Sequence, residues 1–144
     1  MKINLEIRLP HEAASVPIAR QMLRGCLADL GATDETRLDI ELAVTEACAN
    51  VVEHAAVDDD YQVRASVDDD RCVIDIVNAG ASPLPLADSE PAPGAEHGRG
   101  LQIINAVVEN LRLNGHSHDA TRLHFEKPIQ WRPDAVTRRL DRTT

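Results

Sequence analysis

Glu46, Asn50 and His54 recur at four-residue intervals through the run Glu41-Leu42-Ala43-Val44-Thr45-Glu46-Ala47-Cys48-Ala49-Asn50-Val51-Val52-Glu53-His54-Ala55. At about 100° per residue they trace one line along a helix, drifting slowly round it. Ile40, Ala43, Val44, Ala47, Cys48, Val51, Val52 and Ala55 fill the apolar arc beside that line. Asn50 and His54 therefore fall at or inside the edge of a buried stripe, where an unpaired polar group costs about 1–3 kcal/mol. A carboxylate there is a candidate proton acceptor, and an amide oxygen suits a hard cation. The same spacing also fits an amphipathic helix whose polar face simply aligns.

A second element lies downstream. His97-Gly98-Arg99-Gly100-Leu101 precedes an apolar pattern at helical spacing. Two glycines let backbone N–H groups approach a phosphate, and a helix N-terminus adds positive potential. Moving a phosphoryl group takes a divalent cation, donors around the phosphates and a base near the nucleophile. With Glu-x3-Asn-x3-His-Ala on one helix and Gly-x-Gly-Leu opening a later one, the chain resembles the ATP-binding fold shared by gyrase, Hsp90, histidine kinases and MutL. Its short length and order of elements resemble one branch, the anti-sigma-factor serine/threonine kinases. The resemblance runs from about Lys2 to Lys127.

That resemblance implies roles residue by residue. Glu46 matches the general base, which would take the proton of a serine hydroxyl on a protein substrate. Asn50 matches the residue that holds Mg²⁺ between the phosphates of ATP, and His54-Ala55 completes the motif as packing. Gly98, Arg99, Gly100 and Leu101 match the phosphate-facing turn, with Arg99 either touching a phosphate or pointing to solvent. The departure is Asn78-Ala79-Gly80-Ala81-Ser82, where the family carries Asp-x-Gly-x-Gly and the Asp accepts from the adenine amino group. Asn78 keeps an acceptor but loses the charge, Gly80 is retained for packing against the base, and Ser82 replaces the second glycine. Weaker nucleotide binding and a relaxed base preference are expected. Thr121 matches a Thr that reaches adenine through water, with Ala120 where the family has Gly; a plain strand Thr is the alternative.

The implied function is an ATP-binding anti-sigma factor. It would sequester a sigma factor and phosphorylate a serine or threonine of an antagonist, a STAS-type protein, as a homodimer. The rival expectation, motivated by Asn78 and Ser82, is a non-catalytic module that sequesters a partner with weak or lost nucleotide binding. A detached sensor histidine kinase domain fits less well, because no helix pair with a phosphoacceptor His precedes the first strand.

Composition bounds these readings. The length of 144 residues suggests one domain with a sizeable core. Tyr61, Phe125 and Trp131 are the sole aromatic residues, so Leu, Val, Ile and Ala must fill that core. A net charge of −9 argues against a nucleic-acid footprint, which needs a basic face. No run approaches a membrane span, and no secretory leader is apparent. Cys26, Cys48 and Cys72 lack Cys-x-x-Cys spacing and read as small apolar residues in a reducing compartment, so the expected location is cytoplasmic. His116-x-His118 has no accompanying ligand set for a metal.

The elements that must position these residues follow from pattern. Strict alternation predicts a strand over Lys2–Leu9, and helical spacing predicts a helix over Ser15–Leu30 stopped by Gly31. Thr33 caps a helix expected from Asp34 to Ala56. Gln62–Val67 and Cys72–Val77 read as a hairpin. The proline-rich stretch at about 81–97 reads as an ATP lid. A helix over Gly100–Asn110 and strands over Leu111–Ser117 and Thr121–Lys127 follow. After Pro128 the pattern dissolves into a loose tail, with Trp131 a candidate local anchor. The expectation is therefore one domain over residues 1–127 with a tail at 128–144. Its fold is an α+β two-layer sandwich, a mixed, mostly antiparallel sheet with helices on one face.

Overall fold

The computed structural model describes residues 1–54, 60–78, 97–114 and 121–135. Strand β1 (Lys2–Leu9) exposes Lys2, Asn4, Glu6 and Arg8 and turns Ile3, Leu5, Ile7 and Leu9 inward. Helix α1 (Ser15–Leu30) buries Ser15, Ala19, Leu23, Leu27 and Leu30. Its end is a left-handed Gly31 (φ 101°), whose N–H reaches the carbonyls of Leu27 and Ala28. Thr33 Oγ1 then accepts from the Thr36 N–H at 3.4 Å, capping α2 (Asp34–His54), and Asp34 and Glu35 lie in the first turn, where the helix dipole favours them. Ile40, Ala43, Val44, Ala47, Cys48 and Val51 of α2 are wholly buried.

The hairpin of β2 (Tyr61–Asp68) and β3 (Arg71–Asn78) turns at Asp69-Asp70, with Asp68 Oδ1 accepting two backbone N–H bonds at 2.8 Å. These bonds hold the Asp68 carboxyl below its ordinary pKa. The chain closes with α3 (His97–Val107), β4 (Glu109–Asn114) and β5 (Thr121–Pro128). The strand order is β1-β2-β3-β5-β4, and each of the four pairings is antiparallel. β3 and β4 run the same way, as a helix-linked pair does. β5 folds back into the space between them, so no parallel neighbours arise among the described strands.

One face of the sheet carries Tyr61, Val63, Ala65, Val67, Cys72, Ile74, Ile76, Leu123 and Phe125, which join the buried residues of the helices in a single core. Lys127 ties the layers together: its ammonium donates to the Val107 carbonyl at the end of α3 and pairs with Asp39 of α2, both at 2.8 Å. The other face is polar. There Arg71 pairs with Glu126 at 2.9 Å and Glu109 at 3.5 Å, and the His124 ring lies 2.9 Å from both Asp75 and Glu126. Burial pulls the His124 pKa down, but the hydrogen bonds with Glu126 and Asp75 outweigh it and the net direction is upward.

The bounds of the last helix and of β4 and the course of the tail needed correction. The last helix runs over His97–Val107 rather than Gly100–Asn110, and β4 starts two residues early, at Glu109. Asn110 adopts φ 55°, a left-handed conformation that asparagine tolerates, and the register with β5 shifts between Glu109 and Arg112. The expected loose tail is docked over Ile129–Ala135. Ile129 and Ala135 are buried, and Thr33 N–H donates to the Gln130 carbonyl at 2.9 Å. Arg132 N–H donates to Gly31 at 2.8 Å, and Trp131 Nε1 donates to the Asp69 carbonyl at 2.7 Å. On α1, Met22 stands 43% exposed beside Ile18 at 48%. The lid at 81–96, Gly80, Ser82, His116, His118, Ala120 and residues 136–144 lie outside the described residues.

Candidate functional site

α2 and α3 pack so that the middle of one meets the first turn of the other. An ideal β-carbon on Gly100 would stand 3.2 Å from Glu46 Oε2 and 3.9 Å from the Glu46 Cβ. Glycine at 100 thus serves the close approach of α3 to the half-buried Glu46 as well as leaving the turn open. The carboxylate lies beside the N-terminal end of α3, where helix N–H groups favour negative charge. Leu101, next in sequence, is buried in the core and anchors that turn. Gly98 and Arg99 belong to the same first turn by backbone, and their side-chain environment lies outside the described residues.

Asn50 follows Glu46 by one helical turn and is 4% exposed, and neither its Oδ1 nor its Nδ2 has a partner among the described residues. Asn78 ends β3 at 0% exposure, and its two amide atoms are likewise unpartnered among the described residues. Two buried amides in that state each cost on the order of 1–3 kcal/mol per unmade bond. An amide oxygen matches the hard-cation chemistry expected of Asn50, so Mg²⁺ fits the donor available there. No cluster of three or more His, Cys, Asp or Glu side chains that would hold a metal occurs among the described residues.

The sheet places the remaining residues. Leu9, Tyr61, Asn78 and Thr121 lie side by side across β1, β2, β3 and β5, one row at one end of the strands. Thr121 is therefore the direct neighbour of Asn78, while its side chain, like that of His54, is outside the described residues. On the other side of Asn78 is Tyr61, whose hydroxyl is 2.6 Å from Ser15 Oγ and also hydrogen-bonds the Cys48 thiol. Burial pushes the Cys48 thiol up to about 12 and raises the Tyr61 hydroxyl, so both remain protonated. The His11 ring stacks on Tyr61, with centroids 5.4 Å apart and planes tilted by 35°, and both ring nitrogens are buried without a partner among the described residues. Sequence reasoning missed this group. A serine inside an apolar helical stripe (Ser15) and the lone aromatic of the hairpin (Tyr61) were its signals.

Comparison with known proteins supplies a family. A family model described as the histidine kinase-like ATPase domain matches residues 9–125. The serine-protein kinase RsbW of Bacillus subtilis (strain 168) is 28% identical over 126 residues, 78% of this chain and 79% of that protein. The serine-protein kinase RsbW of Bacillus cereus (strain AH820) is 26% identical over 122 residues, 76% of each. Among solved structures, the RsbU and RsbW domains of Rv1364c from Mycobacterium tuberculosis superpose with a TM-score of 0.70 at 24% identity, over 91% of this chain and 33% of that longer one. The mycobacterial sensor histidine kinase MprB gives a TM-score of 0.52 at 16% identity, over 89% of this chain and 100% of that one. These two likenesses bear on the fold alone.

Proposed function

The chain belongs to the histidine kinase-like ATPase domain family, and from that premise we propose that it is an ATP-dependent protein kinase of the anti-sigma-factor type. The observation that carries the reading is the pair of buried amides, Asn50 and Asn78, both unpartnered among the described residues, with the Glu46 carboxylate one helical turn from Asn50 and beside the first turn of α3. Such groups are stable in a fold when a ligand completes them. Asn50 would hold Mg²⁺ in this reading, and the cation would supply charge neutralisation for the transferred phosphoryl group. The first turn of α3, Gly98-Arg99-Gly100-Leu101, faces the phosphates, with the N–H groups of Gly98 and Arg99 outside the helical ladder. Asn78, Gly80 and Thr121 receive the base, and residues 81–97 form the lid.

Glu46 takes the proton from a serine or threonine hydroxyl of the protein substrate. That oxygen bonds to the γ-phosphorus as the bridging P–O bond breaks, leaving phosphoprotein and ADP. The named relatives, serine-protein kinases RsbW, support this reaction class. The substrate is then an anti-sigma-factor antagonist of the STAS type, and the unmodified antagonist draws the protein off its sigma factor. The homodimer and the cytoplasmic location follow from the family resemblance. The location is compatible with the absence, among the described residues, of a helix long and apolar enough to cross a membrane.

One observation favours a second reading. Asn78 is neutral where the family places a carboxylate, which fits a module that sequesters its partner without transfer. Titration of the protein with ATP, with and without Mg²⁺, followed by transfer to an antagonist, separates the two. Mg²⁺-dependent binding lost in Asn50→Ala, with transfer lost in Glu46→Gln, supports the kinase. Binding without transfer selects the sequestering module.

A further inference from the structure

The amide of Asn78 is buried on all sides, yet its donor and its acceptor are both unmet among the described residues. Its cross-strand neighbour Tyr61 offers no relief, since that hydroxyl is engaged with Ser15 and Cys48. A ligand that completes Asn78 must therefore present a donor and an acceptor side by side. The six-membered-ring edge of a purine does so in two forms. Adenine offers its 6-amino group as donor and N1 as acceptor. A 6-oxo purine such as guanine or hypoxanthine offers O6 as acceptor and N1–H as donor. The order of the pair is reversed between the two. An amide reverses its own order by a half-turn about the Cβ–Cγ bond, and among the described residues no hydrogen bond ties Asn78 to either orientation. A carboxylate has no donor to reverse: it matches only the donor of each edge and leaves N1 of adenine or O6 of hypoxanthine facing an acceptor.

We propose that Asn78 makes the site indifferent to the 6-substituent of the purine, so that the protein takes 6-amino and 6-oxo purine nucleoside triphosphates alike. This rests on the nucleotide-binding reading above and sharpens it from ATP to purine triphosphates. The amide makes the same number of hydrogen bonds to either edge, so neither base leaves a buried group unpaired, which is the usual source of strong discrimination.

The test is calorimetric titration of the full chain with ATP, ITP and GTP in the presence of Mg²⁺. ATP and ITP differ only at the edge in question, and GTP adds the 2-amino group. The expected result is ATP and ITP dissociation constants within about threefold of each other, and a parallel loss of at least about tenfold for both in Asn78→Leu, which removes donor and acceptor together. A native preference for ATP over ITP of more than about tenfold overturns the inference and leaves the nucleotide site standing. So does an Asn78→Leu variant that weakens ATP alone. Failure of all three triphosphates to bind overturns the nucleotide site and the inference with it.

Discussion

Glu46 and Gly100 face each other across the α2–α3 contact so closely that a β-carbon at residue 100 would stand 3.2 Å from the Glu46 carboxylate. The listener on the other side of that gap is the far end of a flexible side chain, so the added methyl of Gly100→Ala displaces the carboxylate rather than the backbone. Alanine also raises helix propensity by up to about 1 kcal/mol over glycine. Gly100→Ala should therefore keep its melting temperature, hold nucleotide affinity within a few-fold, and lose phosphoryl transfer by about tenfold or more as the base leaves its position. Transfer at the native rate would show that the place of Glu46 does not matter to the chemistry.

Asn50→Ala should part stability from binding. The amide is buried and unpartnered among the described residues, so its removal relieves a desolvation cost of about 1 kcal/mol or more. The nucleotide-free variant should be as stable as the native protein or more so in urea denaturation, while Mg²⁺-dependent binding disappears. A loss of more than about 1 kcal/mol would mean that Asn50 holds the fold together instead.

The pH dependence of stability should carry the mark of His124. Its pKa is raised above the ordinary 6.5 by its hydrogen bonds to Glu126 and Asp75, with Arg71 and Arg122 the nearby cations. A raised pKa means that the folded state holds the proton more tightly. The stabilisation is then complete below pH 6.5 and fades as pH climbs through the raised value. Glu126, held below its ordinary 4.5, contributes above that value and loses its share as pH falls through its lowered pKa. The urea midpoint of His124→Gln should trail the native protein clearly at pH 6 and converge with it by about pH 9. A constant gap across that range would remove the protonated ring from the account.

Gly31 and Ala135 make a double-mutant cycle. A β-carbon at Gly31 would fall 2.5 Å from the Ala135 Cα, and Gly31 itself sits at φ 101°. Gly31→Ala in the full chain should cost the left-handed penalty of about 1–2 kcal/mol plus the clash. In a chain ending at Pro128 only the first part remains. The truncation alone should also destabilise, through loss of the Ile129, Trp131 and Ala135 contacts. Equal penalties for Gly31→Ala in both backgrounds would mean that the docked segment is absent in solution.

The sequence spoke most clearly where periodicity and capping coincide. The alternation over Lys2–Leu9, the Gly31 stop and the Thr33 cap each mark a boundary through local chemistry, and the structure has them in place. The Glu46–Asn50 spacing was readable for the same reason, because one helix fixes both residues. What sequence alone left hidden depends on distant partners. Ser15 and Tyr61 are separated by 46 residues, and their hydrogen bond leaves no trace in either local pattern. The insertion of β5 between β3 and β4 is a pairing choice with no local signal. Ile129, Trp131 and Ala135 are too sparse to form a period, so a docked segment read as a loose one. The apolar spacing of α3 continues past its end at Val107, and the single left-handed residue Asn110 interrupts β4 with no signal in that spacing.

The Asp69-Asp70 turn gathers more than a hairpin. The N-terminal ammonium of Met1 lies 3.4 Å from Asp69, and the segment leading to Ala135 is fastened to the same turn through Ile129 and Trp131. Asn78 and Thr121 occupy the opposite ends of their strands. The chain termini of the described residues are thus tied near one end of the sheet and the candidate nucleotide site, the mouth in the proposed reading, lies at the other. Immobilised on a sensor surface through a tag on Met1, the protein would present the mouth outward, with the sheet's full length between the attachment point and an incoming ligand.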